Sequence, residues 1–173
     1  MILRGRPLRP GFAAAVATLA AAALLTACDP QRIEKLEEGV ATEADVRKQF
    51  GNPAAVSTRP DGSKVLEYPR QPEGWTNYVI VIGPDGKMSS LRQLLTPASF
   101  AKVQPGQDKL AVMDTLGKAA KTAHYALKNE EVWDWRYKDG TVAKVFRVTF
   151  DGQGRVVSTA TMDDPRDSMS GSR

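Results

Sequence analysis

Cys28 is the only cysteine in the 173 residues, and His124 is the only histidine. A lone cysteine has no partner for an internal disulfide, and one cysteine with one histidine cannot close a structural zinc site. The chemistry open to Cys28 is set by its neighbours, Leu25-Thr26-Ala27-Cys28, with small residues directly before the thiol. This matches the L-(S/T/A)-(A/G)-C cleavage box at all four positions. At such a box a diacylglycerol is attached to the thiol, the chain is cut before the cysteine, and the new amine takes an N-acyl chain. Each buried CH₂ contributes about 0.8 kcal/mol and one acyl chain holds only marginally, so two or three chains are what keep a domain at a membrane.

The residues ahead of Cys28 fit that reading. Arg4, Arg6 and Arg9 are followed by an uncharged, alanine-rich run from Pro10 to Ala27. A basic segment followed by an apolar one is the layout of an export signal, and this run is at the short edge for a membrane span. The full chain carries 24 basic and 20 acidic residues, net +4, a balance that invites nucleic acid. Three of the basic residues and none of the acids lie in residues 1–27, so residues 28–173 carry 21 against 20, net +1. No excess of positive charge remains to displace counterions, and a nucleic-acid partner is not expected.

Other reactive side chains are sparse. His124 has no second histidine or cysteine to make a metal site or an activated nucleophile. Glu130 and Glu131 sit together at an expected turn, without the cleft and separation that a pair of catalytic carboxylates needs. The glycines of Gly83-Pro84-Asp85-Gly86 and Gly152-Gln153-Gly154 lack the strand-to-helix setting of a phosphate loop. No enzyme, cofactor or metal is expected. Aromatic and basic residues are the better candidates for contact. Trp133, Trp135 and Tyr137 alternate with Asp134, Arg136 and Lys138, and Phe146, Val148 and Phe150 alternate with Arg147 and Thr149. The aromatic set reads as a core face, which leaves Arg136 and Arg147 on the wet face. Trp75, in the loop Gln71-Pro-Glu-Gly-Trp75, and the nearby Tyr78 complete the expected partner-binding surface.

The elements that must position these residues occur twice. Leu36-Glu-Glu-Gly39 and Val103-Gln-Pro-Gly106 open two copies, and Gly51 and Gly117 close a short helix in each. Leu66-Glu67-Tyr68 lines up with Trp133-Asp134-Trp135, and the run ending at Ile82 with the run ending at Phe150. In the first copy Ile33 and Leu36 suggest a helix before Gly39. Thr42 and Asp45 make a capping box for a second, with Val46 and Phe50 on its apolar face. In the second copy Asp108 caps a helix with Leu110, Val112, Met113 and Leu116 as its apolar face. Strands are expected near 54–59, 63–70, 75–82 and 87–95, then 121–128, 131–138, 141–150 and 155–162, divided by turn pairs such as Asp61-Gly62. The fold class is therefore α+β, a tandem helix-helix-antiparallel-sheet unit with helices on one face of the sheet. Two copies side by side could extend one sheet and share a core. The expected divisions are a signal peptide at 1–27, a first unit at 28–96, a second at 97–163 and a flexible tail at 164–173.

The lipobox, Phe50-Gly51-Asn52-Pro53 after a helix, the aromatic strand and the hairpin from Val148-Thr-Phe150 to Gly154-Arg-Val156 together resemble the SmpA/OmlA domain of the BamE-like outer-membrane lipoproteins. The resemblance covers about 33–95 and 98–162. A tandem of such units is also similar to the layout of β-lactamase inhibitor protein. The resemblance implies a non-enzymatic, lipid-anchored, periplasm-facing protein, an accessory or adaptor in outer-membrane β-barrel assembly. The inhibitor layout implies instead a periplasmic inhibitor or ligand-binding module. The family resides at the outer membrane, whereas Asp29 directly after Cys28 is an inner-membrane retention signal under enterobacterial sorting rules. The few residues between Cys28 and Ile33 span at most about 3.5 Å each, which sets the first unit close to the bilayer.

Overall fold

Short helices with strong caps start each half of the fold. In the computed structural model, which describes residues 36–170, Thr42 caps α1 (Glu43–Phe50). The Asp45 N–H donates to Thr42 Oγ1 at 3.3 Å, and the Thr42 N–H donates to Asp45 Oδ2 at 3.0 Å. These two bonds satisfy donors that the first turn leaves open. Four strands follow: β1 (Ala55–Thr58), β2 (Lys64–Pro69), β3 (Asn77–Ile82) and β4 (Met88–Gln93). A single turn, α2 (Pro97–Phe100), leads to α3 (Lys109–Leu116), where Asp108 Oδ1 accepts the Ala111 N–H at 2.9 Å. Then come β5 (Lys121–Tyr125), a 3₁₀ turn at Ala126–Lys128, β6 (Glu130–Asp139), β7 (Val142–Phe150) and β8 (Val156–Asp163). The described part ends in α4 (Pro165–Ser170).

The protein is α+β with few helices and two four-stranded antiparallel sheets, ordered β1-β2-β3-β4 and β5-β6-β7-β8. The two meanders form separate open sheets and do not extend one sheet between them. In the first half Val46 and Phe50 of α1 are buried with Leu66, Tyr68, Tyr78, Ile80 and Ile82. In the second, Phe100, Val103, Val112 and Leu116 pack on Trp133, Trp135, Tyr137, Phe146, Val148 and Phe150. The alternating aromatic set is thus a core face, as its period of two requires. The Phe100 ring stacks on Phe146 with centroids 4.3 Å apart.

Three expectations need correction. Ile33 lies outside the described residues, as do Cys28 and Asp29, and 38–40 form a turn rather than a helix. That turn is tied to the sheet by the Gly39 N–H, which donates to the Met88 carbonyl at 2.8 Å. Leu110 and Met113 are 72% and 44% exposed. An eight-residue helix lying on a sheet buries one narrow strip, and Val112 and Leu116, four residues apart, fill it. Finally, residues from 164 onward do not begin as a loose tail, because Asp164 is buried and Pro165–Ser170 are helical.

The two halves are joined by side-chain amides. Asn77, at the start of β3, donates from Nδ2 to the Leu116 carbonyl at 2.7 Å and to the Lys118 carbonyl at 2.9 Å. Trp135 Nε1 donates to the carbonyl between them, Gly117, at 3.0 Å. Carbonyls at and just beyond the end of α3, which have no partner within the helix, are thereby held from both sheets. Gly117 has φ +71°, and a Cβ there would lie 3.1 Å from Asn77 Nδ2, so glycine suits both the helix end and the approach of the amide. Further along, Gln71 Nε2 donates to the Arg136 carbonyl at 2.8 Å, and Gln71 Oε1 accepts the Arg136 N–H at 3.2 Å. The edge of β6 beyond β5 is paired by a side chain from the first half.

Asn77→Ala removes both bonds and leaves the buried Leu116 carbonyl and the half-buried Lys118 carbonyl without this donor. Unfolding free energy measured in urea is expected to fall by about 3 kcal/mol. A loss below about 0.5 kcal/mol would mean that water replaces the amide at this junction.

Candidate functional site

The loop between β2 and β3 belongs to the first half but lies on the second. Its Gln71 amide is fixed on β6, and this brings Pro72 and Trp75 over the outer face of the second sheet. Trp75 lies over Arg136, with the guanidinium carbon 3.9 Å from the ring centroid and Lys138 Nζ at 5.4 Å. A cation held this close over an indole is attracted by the ring quadrupole. Arg136 Nη1 donates to the Pro72 carbonyl at 3.0 Å, and Arg136 Nε pairs with Asp164 Oδ2. Arg136 is only 9% exposed, although it belongs to the face expected to be wet.

Asp164 anchors the chain end to the same place. Its Oδ1 accepts the Arg166 N–H at 2.9 Å, and its own N–H donates to the Ala143 carbonyl at 3.0 Å. Burial pushes the Asp164 carboxyl up, but the Arg166 N–H and the Arg136 guanidinium outweigh that and hold it below the ordinary value. Next along the face, Arg147 and Asp134 are directly opposite on β7 and β6. They form a two-pronged pair, Nε to Oδ1 at 2.7 Å and Nη2 to Oδ2 at 2.8 Å.

These groups enclose a cavity of about 320 Å³ on the outer face of the second sheet. Val145 and Met162 are neighbours on its floor, and Pro72, Ala120 and Pro165 add apolar surface. Lys121, Arg147 and Arg166 stand around it. Both lining carboxylates, Asp134 and Asp164, are already paired with arginines, so the lining carries an excess of positive charge. Such a trough accommodates an apolar side chain with an acidic group beside it. It brings no nucleophile and base together.

Of the residues expected to bind a partner, Arg136 and Arg147 line this trough, Trp75 stacks on Arg136 without lining it, and Tyr78 lies elsewhere. Tyr78 is 5% exposed, with its ring 5.3 Å from that of Phe50. The alternation that places Ile80 and Ile82 inward on β3 places Tyr78 there too. Glu130 and Glu131 open β6 rather than sit in a turn. Glu131 accepts from Lys109 Nζ and from Trp133 Nε1, both at 2.5 Å, and these bonds lower its carboxyl below the ordinary value. It fastens α3 to the sheet. His124 lies on the exposed edge strand β5, opposite Glu131. Cys28 lies outside the described residues. Sequence reasoning missed Gln71, Lys121, Asp164 and Arg166. The run Asp164-Pro165-Arg166 does carry a signal, an acid followed by proline at the first position of a helix.

No protein-family model matches the chain, and no curated protein matches it. Among solved structures, it is similar to a protein described as the osmotically inducible lipoprotein OsmE (TM-score 0.36, 17% identity, 46% of this chain and 93% of that one). It is also similar to the DUF4309 family protein YjgB from Bacillus subtilis (TM-score 0.32, 16% identity, 78% and 86%). A third is described as a β-lactamase inhibitor protein from Streptococcus mutans (TM-score 0.34, 13% identity, 71% and 83%). At these scores the likeness assigns no function. No helix among the described residues is long and apolar enough to cross a membrane.

Because Asp164 titrates lower in the folded chain than in the unfolded one, its stabilisation is full above the ordinary aspartate value of about 3.8. It is lost as pH falls below that value. Asp164→Asn should flatten the acid limb of the stability profile. Arg136→Met should cost about 3 kcal/mol at neutral pH, because it strands a buried carboxylate. Urea unfolding between pH 2 and 7 measures both. An unchanged acid limb in the asparagine variant would remove Asp164 from this account.

Proposed function

We propose that this protein is a lipid-anchored, periplasm-facing binding module built from two tandem copies of one unit, and that it acts as an accessory or adaptor in outer-membrane β-barrel assembly. The observation that carries the binding role is the preset trough. Its walls come from both halves, and its arginines are held by Asp134, Asp164, the Pro72 carbonyl and Trp75 before any partner arrives. Cations already fixed in this way lose little freedom on binding, so partner contact is not offset by side-chain ordering. The fit is to an exposed apolar side chain flanked by acidic residues on a protein partner. The envelope location rests on the lipobox at Leu25-Thr26-Ala27-Cys28, and the assembly role on the SmpA/OmlA-like motifs.

Two outcomes are expected. Cys28→Ala should abolish metabolic labelling with palmitate and release the protein from sedimented envelopes; labelling that persists in the variant would overturn the anchor. Affinity capture of the lipidated protein from gently solubilised envelopes should recover barrel-assembly components. Arg147→Glu should reduce that recovery about tenfold by placing like charge against the acidic partner. Capture of none of these components, under conditions that keep the machine intact, would rule out the assembly role.

A further inference from the structure

Two of the trough's cations are drawn onto a single atom. Arg136 Nη1 and Arg166 Nη2 both donate to the Pro72 carbonyl, each at 3.0 Å. Like charges brought this close oppose each other unless an anion lies between them. Asp164 is the one carboxylate paired with either arginine among the described residues. Its Oδ2 meets Arg136 Nε, and its Oδ1 lies 3.9 Å from Arg166 Nε. One carboxylate thus serves two guanidiniums, and a positive charge is left over. Arg136 is only 9% exposed, so salt and water screen that charge poorly.

The same bonds close the trough at this end. The chain leaves β8 at Asp164, whose N–H donates to the Ala143 carbonyl of β7. Arg166 then reaches back to Pro72, which is held beside Arg136 of β6. The link between chain end and loop therefore passes over β7, the strand between β6 and β8. A segment running along the sheet toward this end meets the link and stops. Away from it the face is open. Ser158 and Ala160 of β8, opposite Thr149 and Arg147, are exposed, and their small side chains leave room for a backbone.

We propose that the trough takes the C-terminal residue of a partner chain, its apolar side chain on Val145 and Met162 and its α-carboxylate between Arg136 and Arg166. This rests on the trough being the partner site, and it identifies the acidic group there as a chain end. Val145 faces Arg136 on one side and Met162 on the other. Facing residues lie about 5 Å apart, and a terminal residue carries side chain and carboxylate on one Cα, so it reaches both. An internal aspartate or glutamate would bring onward chain that the closed end does not admit. A carboxylate accepts from guanidiniums through both oxygens, and capture of a chain end by its carboxylate recurs among peptide-binding modules.

Heteronuclear NMR of the full chain in non-ionic detergent tests this with three synthetic probes. The first is an N-acetylated pentapeptide of glycine and serine that ends in leucine with a free carboxylate. The second is the same peptide amidated. The third is blocked at both ends and carries leucine and glutamate side by side at its middle. The free-carboxylate peptide should shift the Val145 and Met162 amides saturably, and amidation should weaken it about tenfold. Arg166→Gln should weaken the free-carboxylate peptide about tenfold and leave the amidated one unchanged. The Arg166 side chain is half-exposed and its backbone N–H still caps α4 in the variant, so the fold is kept. Equal affinity of the free and amidated peptides overturns the proposal. So does a variant in which their ratio is unchanged. A third probe that binds as tightly as the first overturns the chain end but keeps the trough as the partner site, and shifts from none of the three overturn both.

Discussion

A side-chain amide standing in for a strand is the interaction on which the rest of this molecule depends. β5 stops pairing with β6 near Asp134, where the Ala120 N–H donates to the Asp134 carbonyl. Beyond that point the β6 edge would be bare. Gln71 supplies one donor and one acceptor to Arg136, as a strand residue would. A buried backbone edge must be satisfied, and a glutamine from the other half does it. Six residues on, Asn77 makes the second tie, to carbonyls at the end of α3.

The site follows from this clamp. With Gln71 fixed, Pro72 and Trp75 are carried over a sheet face that would otherwise be open to water. Arg136 is then covered, and a covered guanidinium requires a counter-charge, which Asp164 provides. Asp164 in turn draws in the segment that continues into α4. Loop, arginine and chain end form one structure, with the trough as the space left between them. A buried ion pair of this kind contributes little net stability, and its effect is to fix where the two segments sit.

Much of the fold was legible in the sequence because its signals are local. Asp61-Gly62 and the glycine turns mark the hairpins, and the alternation of Trp133, Trp135 and Tyr137 identifies the core face without any knowledge of their partners. Capping residues place α1 and α3. What was not legible depends on contacts distant in sequence. Nothing near Arg136 reveals that residues 71–75 will cover it, so the face read as wet is partly buried. The exposure of Leu110 and Met113 follows from how little of a short helix a sheet can cover. Tyr78 was misplaced because its loop neighbours outweighed the alternation that begins with it. The trough is thus half visible in the sequence, as the charged outer face of β6 and β7, and half created by the junction.

Amide hydrogen exchange at Arg136 tests the clamp most directly. If the Gln71 side chain completes the β6 edge, the Arg136 N–H exchanges as slowly as core amides such as that of Val148, and Gln71→Ala makes it fast while Val148 stays protected. Arg136 exchanging in the unsubstituted protein as fast as an unprotected surface amide would contradict the account.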